Sequence, residues 1–297
     1  MGLQLLGLRE FRYRPRLDLG HPAVRAILRL YLPVAAGLVV STAGVVIDTA
    51  LAWRAGEESL AAMRFATNLV QLPLGLVAVA TSLAALPALS RVRGADYGAT
   101  LQATVRMVLL LMVPATVALV ALRHPVVQVL FERGAFDAAG TARAALVFLA
   151  YSPQIPFAAL DQLLIVAFYA RKDTRTPVLV GVVTVGLYLL VALLLVDAWG
   201  AAGLAFANAV QNSAHAVVLF ALLRRAVPSL GRGLPAYVGA LAVAAALMGG
   251  ALVGASHLVP VHAAGSLAER VGLLALLGGC GGAVYLTALR LLRVPEA

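Results

Sequence analysis

Pro177–Asp197 reads PVLVGVVTVGLYLLVALLLVD, and Gly200–Leu223 reads GAAGLAFANAVQNSAHAVVLFALL. The first stretch has 21 residues and the second 24; between them they carry no Lys, Arg or Glu and a single Asp, at the end of the first. A helix rises 1.5 Å per residue, so about 20 mainly apolar residues cross the ~30 Å hydrocarbon core of a bilayer. Each stretch is therefore read as one membrane-spanning helix. The same ruler, moved along the chain, marks further spans at roughly 30–53, 59–90, 100–122, 141–169, 235–256 and 266–290, eight in all. The expected fold class is all-α: a polytopic membrane helix bundle. Pro73 and Pro87 inside the second span, and Pro153 and Pro156 inside the fourth, each remove a backbone donor and predict bends.

Composition agrees. Hydrophobic residues make up 62% of the chain and charged residues 12%, with mean hydropathy +0.95. A soluble domain has about 25% charged residues, so this chain has too little polar surface to cover a globule. The same apolar content excludes disorder. The single cysteine, Cys280, permits no internal disulfide, and no Cys/His cluster has metal-ligand spacing. No GxSxG elbow, Walker A loop or HExxH motif occurs, so neither an enzyme nor a cofactor is expected.

The net charge of +10 follows from arginines placed in the loops. With alternating spans, 17 of the 23 basic residues fall on one side and 5 (Arg54, Arg123, Arg133, Arg143, Arg270) on the other, with Arg64 inside a span. This asymmetry predicts a multi-pass membrane protein with both termini cytoplasmic, and it accounts for the charge without nucleic acid. Met1–Gly7 is too short for a signal-peptide core and is followed by arginines, which predicts a cytoplasmic start. Residues 1–29 are read as a leader. Its segment HPAVRAILRL fits either an amphipathic surface helix or an ordinary juxtamembrane lead-in. Residues 30–226 are read as a six-helix lobe and 233–293 as a terminal helix pair. Gly250 and Gly254, and Gly278 and Gly282, are spaced for close helix approach in that pair, or for a shallow groove open to a lipid tail.

Polar groups at bilayer depth are costly and are functional candidates by default. Arg64, Asn68 and Gln71 share one helical face, expected to look into the bundle interior near Asp48, with which Arg64 could pair. Asp161 and Gln162 lie in the fourth span. The sixth carries a stripe of Asn208, Gln211, Asn212 and His215, suited either to lining a cavity or to bonding across a helix interface.

Several strings carry a family resemblance. Asn68–Arg91 reads NLVQLPLGLVAVATSLAALPALSR, Leu130–Asp137 reads LFERGAFD, and Phe168–Val178 reads FYARKDTRTPV. Ahead of them, Arg14–Val34 reads RPRLDLGHPAVRAILRLYLPV. In this order and at these separations they resemble the MurJ/MviN family of lipid II flippases, within the MOP exporter superfamily. The resemblance is specific over residues 10–226 and rests only on span number and hydrophobicity beyond them. It implies two six-helix lobes that rock about a central cationic cavity in alternating access, plus a terminal pair whose groove holds a lipid tail. The implied substrate is the undecaprenyl-pyrophosphoryl disaccharide-pentapeptide, moved from the inner to the outer leaflet, and arginines suit its pyrophosphate.

The eight spans here match only the second lobe and the terminal pair. The resemblance thus implies a missing N-terminal lobe, supplied by a longer chain or a partner, or else a second copy. Asn68 stands where many members have a cavity arginine, with Arg64 one turn away, a displacement of about 6 Å. Gln71 stands where some have Glu, and Gln162 where some have a basic residue. The resemblance therefore predicts Arg64, Asn68, Gln71 and Asp48 as substrate-binding, with Asp161, Gln162, Asn208 and Gln211 as further lining. Since a fold does not fix a substrate, the alternatives are export of another polyprenyl-linked glycan or a small molecule, or a non-transporting membrane subunit.

Overall fold

The structure, a computed structural model, describes residues 21–78, 81, 85, 87, 89–92, 95–134, 136–259, 261 and 265–294; residues 1–20 of the expected leader lie outside them. The described residues are helical, with no strand among them. Lipid offers no hydrogen bonds, so each crossing segment must pair its backbone within itself. In chain order the helices are α1 (Pro22–Arg54), α2 (Glu57–Pro73), continued by a π-helical turn at Leu74–Ala78, α3 (Ala95–Ala121), α4 (Arg123–Phe131), α5 (Ala138–Tyr151), α6 (Gln154–Ala170), α7 (Arg175–Ala226), α8 (Leu234–Leu258) and α9 (Leu267–Leu291). Residues 22–29 run into the first span as one continuous helix.

Local chemistry sets several of these ends. Pro22 opens α1, where its missing N–H is an orphan in any case. Asp137 caps α5 by accepting from the Gly140 amide at 2.8 Å. Ser266 and Glu269 form a capping box at the start of α9. The second span passes directly from α2 into the π-turn after Pro73, and α5 and α6 meet at 49° across Ser152 and Pro153.

Six of these helices are long and apolar enough to cross a membrane, and the bent α5–α6 pair makes a seventh crossing. Helix α7 supplies the eighth. Its 52 residues would reach about 78 Å if straight, more than twice the hydrocarbon core. Instead the backbone turns at Gly200 (φ 52°, ψ −130°), conformational space that an L-residue rarely enters. The two halves then fold back antiparallel. A Cβ placed on Gly203 would lie 2.6 Å from the Leu195 carbonyl oxygen, and one on Gly181 would lie 3.6 Å from the His215 ring.

Loop contacts follow the alternation expected of eight crossings. At one end Arg54 meets Asp197 at 3.8 Å and Arg143 meets Glu58 at 3.1 Å. At the other, the Tyr97 hydroxyl donates to the Ala167 carbonyl at 3.0 Å, and the Arg171 guanidinium lies over the Tyr97 ring at 5.9 Å.

The core of the lobe combines alanine with leucine. Ala66, Ala144, Ala159, Ala167, Ala205 and Ala207 are fully buried, as are Leu69, Leu101, Phe148, Leu163 and Leu204. Small residues let the backbones approach closely where lipid gives no hydrophobic drive for helices to associate. Outside, Leu32, Val39, Val183 and Leu194 are each at least 70% exposed, apolar surface suited to acyl chains.

The terminal pair is fastened to the lobe through α3. Gln102 accepts from the Gly231 amide at 2.7 Å, the Tyr237 hydroxyl donates to the Arg106 carbonyl at 3.0 Å, and the Tyr285 hydroxyl donates to the Leu110 carbonyl at 3.1 Å. The glycines expected to permit close approach are not the ones that do so. Gly250, Gly254, Gly278 and Gly282 have open space where a side chain would stand, whereas a Cβ on Gly249 would lie 2.8 Å from Val117 and one on Gly281 would lie 2.9 Å from Leu252. One residue is 100° of helix rotation, enough to exchange the packed face for the open one.

Candidate functional site: an acidic cavity and an exposed polar face

A cavity of about 430 Å³ lies between α1, α6 and the two halves of α7. Asp48, Asp161, Asn208 and Gln211, all expected from the sequence, line it together with Asn212 and His215. The Asp48 carboxylate accepts a hydrogen bond from the Tyr188 hydroxyl, which ties α1 to α7. The Asn212 amide donates to Gln154 at 2.6 Å and to the backbone and side-chain oxygens of Asn208, each at 3.0 Å. His215 meets Asp161 at 2.6 Å. The stripe on the sixth span thus serves in both ways left open: it bonds across to α6 and it lines a cavity. Among the described residues the cavity wall holds two carboxylates and no Arg or Lys.

Arg64, Asn68 and Gln71 are elsewhere. All three are exposed, and none lines the cavity. The reason is the periodicity of α2, which buries Ala62, Met63, Ala66, Leu69 and Val70 and so turns the opposite face outward. The expected placement in the interior of this bundle is corrected accordingly, and so is the pairing of Arg64 with Asp48. Among the described residues Arg64 makes no ion pair, and Asp48 turns to Tyr188. Gln162 is half-buried on α6, outside the cavity wall.

Tyr188, Thr184 and Gln154 also belong to this polar system, beyond the residues that the sequence marks. Thr184 and Tyr188, four apart on an otherwise aliphatic span, were the available signal. Among the described residues no group of three or more His, Cys, Asp or Glu could hold a metal ion.

The family model described as lipid II flippase MurJ matches residues 3–272. The chain belongs to this family. A probable lipid II flippase MurJ of Rhizobium meliloti (strain 1021) is 33% identical over 291 residues, covering 94% of this chain and 53% of that protein. Its counterpart in Vibrio cholerae serotype O1 is 30% identical over 286 residues, 95% of this chain and 54% of that protein. The chain spans about half the length of the curated MurJ relatives it matches. A solved lipid II flippase MurJ in an inward closed conformation superposes with a TM-score of 0.74 at 19% identity, over 98% of this chain and 59% of that one. A MOP superfamily transporter from Pyrococcus furiosus shares the fold more loosely, with a TM-score of 0.57 at 18% identity. At these identities the two structures speak for the fold alone, and that fold is the all-α membrane bundle of MurJ proteins.

Proposed function

We propose that these residues act as the second lobe and terminal helix pair of a lipid II flippase, closing one wall of a transport path whose other wall is a first lobe. The family membership, over a chain spanning half its relatives' length, carries this reading. The exposed Arg64–Asn68–Gln71 face supports it. A charge and two amides left open on a membrane helix are costly against lipid and suit a partner surface or a water-filled path. A pyrophosphate headgroup fits the Arg64 face, because a guanidinium forms paired, charge-assisted bonds to phosphate oxygens. It does not fit the cavity, whose two carboxylates would repel it. In this reading both termini face the cytoplasm and the exposed apolar surface of the lobe is lipid-facing.

Transport by alternating access needs two bodies moving about a shared site. The test is complementation of cells depleted of their own flippase, with the chain alone and with a co-expressed first lobe. Rescue only with the first lobe is expected, as is its loss on Arg64→Ala. Rescue by the lone chain, active as a purified monomer in vesicles, overturns the two-lobe reading. Transport of a different polyprenyl-linked glycan or a small molecule, with no lipid II movement, overturns the substrate.

A further inference from the structure

His215, on the second half of α7, has both ring nitrogens engaged. Nδ1 lies 2.6 Å from a carboxylate oxygen of Asp161 on α6, and Nε2 lies 3.0 Å from the backbone carbonyl oxygen of Pro177 on the first half of α7. A carbonyl oxygen can only accept, so Nε2 carries a hydrogen. A neutral imidazole has only one N–H. The short contact at Nδ1 therefore needs a second hydrogen: either the ring is an imidazolium facing a carboxylate, or Asp161 is protonated and donates to a neutral ring. Both arrangements hold the same number of protons and leave the pair with no net charge. Removing that proton sets lone pair against lone pair at one of the two contacts.

We propose that Asp161 and His215 form a proton-binding site inside the transmembrane lobe, whose occupancy fastens the second half of α7 to α6 and to its own first half. This goes beyond the flippase reading and does not depend on which lipid is moved. The two side chains are 15% and 12% exposed and open onto the 430 Å³ cavity, which gives water a route to the proton. On release the proton passes to cavity water, the pair moves from no net charge to one negative charge, and one of the two links opens. A bare carboxylate at this depth is costly, which favours the loaded form. Among the described residues the titratable groups facing the pair from the surrounding helices are Asp48 on α1, Tyr169 on α6 and Tyr188 on α7. Asp48 is already bonded to Tyr188, and among the described residues the cavity wall presents no Arg or Lys to replace the proton's charge.

The experiment is nitrogen-15 NMR of the full chain, labelled at its five histidines, in lipid nanodiscs from about pH 5 to pH 9, a range bracketing the ordinary histidine value. The His215 signals are assigned by their loss in His215→Asn, and the carboxyl of Asp161 is followed by infrared difference spectroscopy. In the unmutated protein, one proton beyond a neutral ring and an ionised carboxylate should be shared by the pair at neutral pH, with Nε2 protonated throughout. Asp161→Asn should weaken proton binding at His215 about tenfold or more, one pKa unit or beyond. Two results overturn the proposal: a neutral ring beside an ionised Asp161 at pH 6 in the unmutated protein, which needs no variant to fold, or a His215 titration that follows Asp48→Asn and ignores Asp161→Asn.

Discussion

The carboxylate of Asp173 accepts from the amides of Arg175 and Thr176 at 3.1 and 3.0 Å and from the Thr176 hydroxyl at 2.6 Å, closing the first turn of α7. Burial pushes this carboxyl up, but the Thr176 hydroxyl, the two amides and the Arg171 charge outweigh it and hold it below the ordinary carboxylate range. A depressed value means that the ionised group stabilises the fold above the unfolded value near pH 4, and that this contribution is lost as the pH falls through the folded one. Asp173→Ala should therefore cost about 1 kcal/mol at neutral pH. The gap between unmutated protein and Asp173→Asn should close in acid, read by thermal unfolding in detergent. Tyr188→Phe is a second test at this scale. It strips the donor from Asp48 and leaves a carboxylate unsatisfied inside the lobe, which should cost about 1–3 kcal/mol. An unchanged melting temperature would show that water replaces the hydroxyl freely.

Helix α7 sets the architecture of the lobe through its turn at Gly200 and the contact just beyond it. A methyl at position 203 would meet backbone at 2.6 Å, and backbone cannot rotate aside. Gly203→Ala should therefore destabilise by about 1–3 kcal/mol. Gly239→Ala, with open space around it, should be neutral or slightly stabilising through its higher helix propensity. The same comparison separates Gly249 from Gly250 on α8. Gly249→Val should loosen the terminal pair from α3, and Gly250→Val should be accommodated, as measured by protease nicking of the 227–233 loop. Equal sensitivity at both positions would contradict the observed packing.

Across the whole molecule, the distribution of 17 basic residues on one side and 5 on the other predicts the orientation. In a background where Cys280, the sole cysteine, is replaced by serine, Asp197→Cys should react with a membrane-impermeant maleimide in intact cells, and Lys172→Cys should react only after permeabilisation. Asp197 is 80% exposed, so access does not limit its reaction. External labelling at position 172 would reverse the proposed topology.

Much of the architecture was present in one dimension. Eight apolar stretches of spanning length, the prolines where span four bends, and the loop arginines depend on composition along the chain, and a bilayer imposes its thickness on each helix separately. Even the polar groups of the cavity, Asp48, Asp161, Asn208 and Gln211, could be named from the cost of placing them in lipid. Their partners could not. Whether Asp48 meets Arg64 or Tyr188, whether Gly249 or Gly250 touches a neighbour, and whether the face bearing Arg64 turns inward or outward depend on helix rotation and register. Those are decided when helices from distant parts of the chain pack together, because a polar group at the same depth satisfies the sequence equally well on either side of its helix, and only the neighbouring side chains distinguish the two.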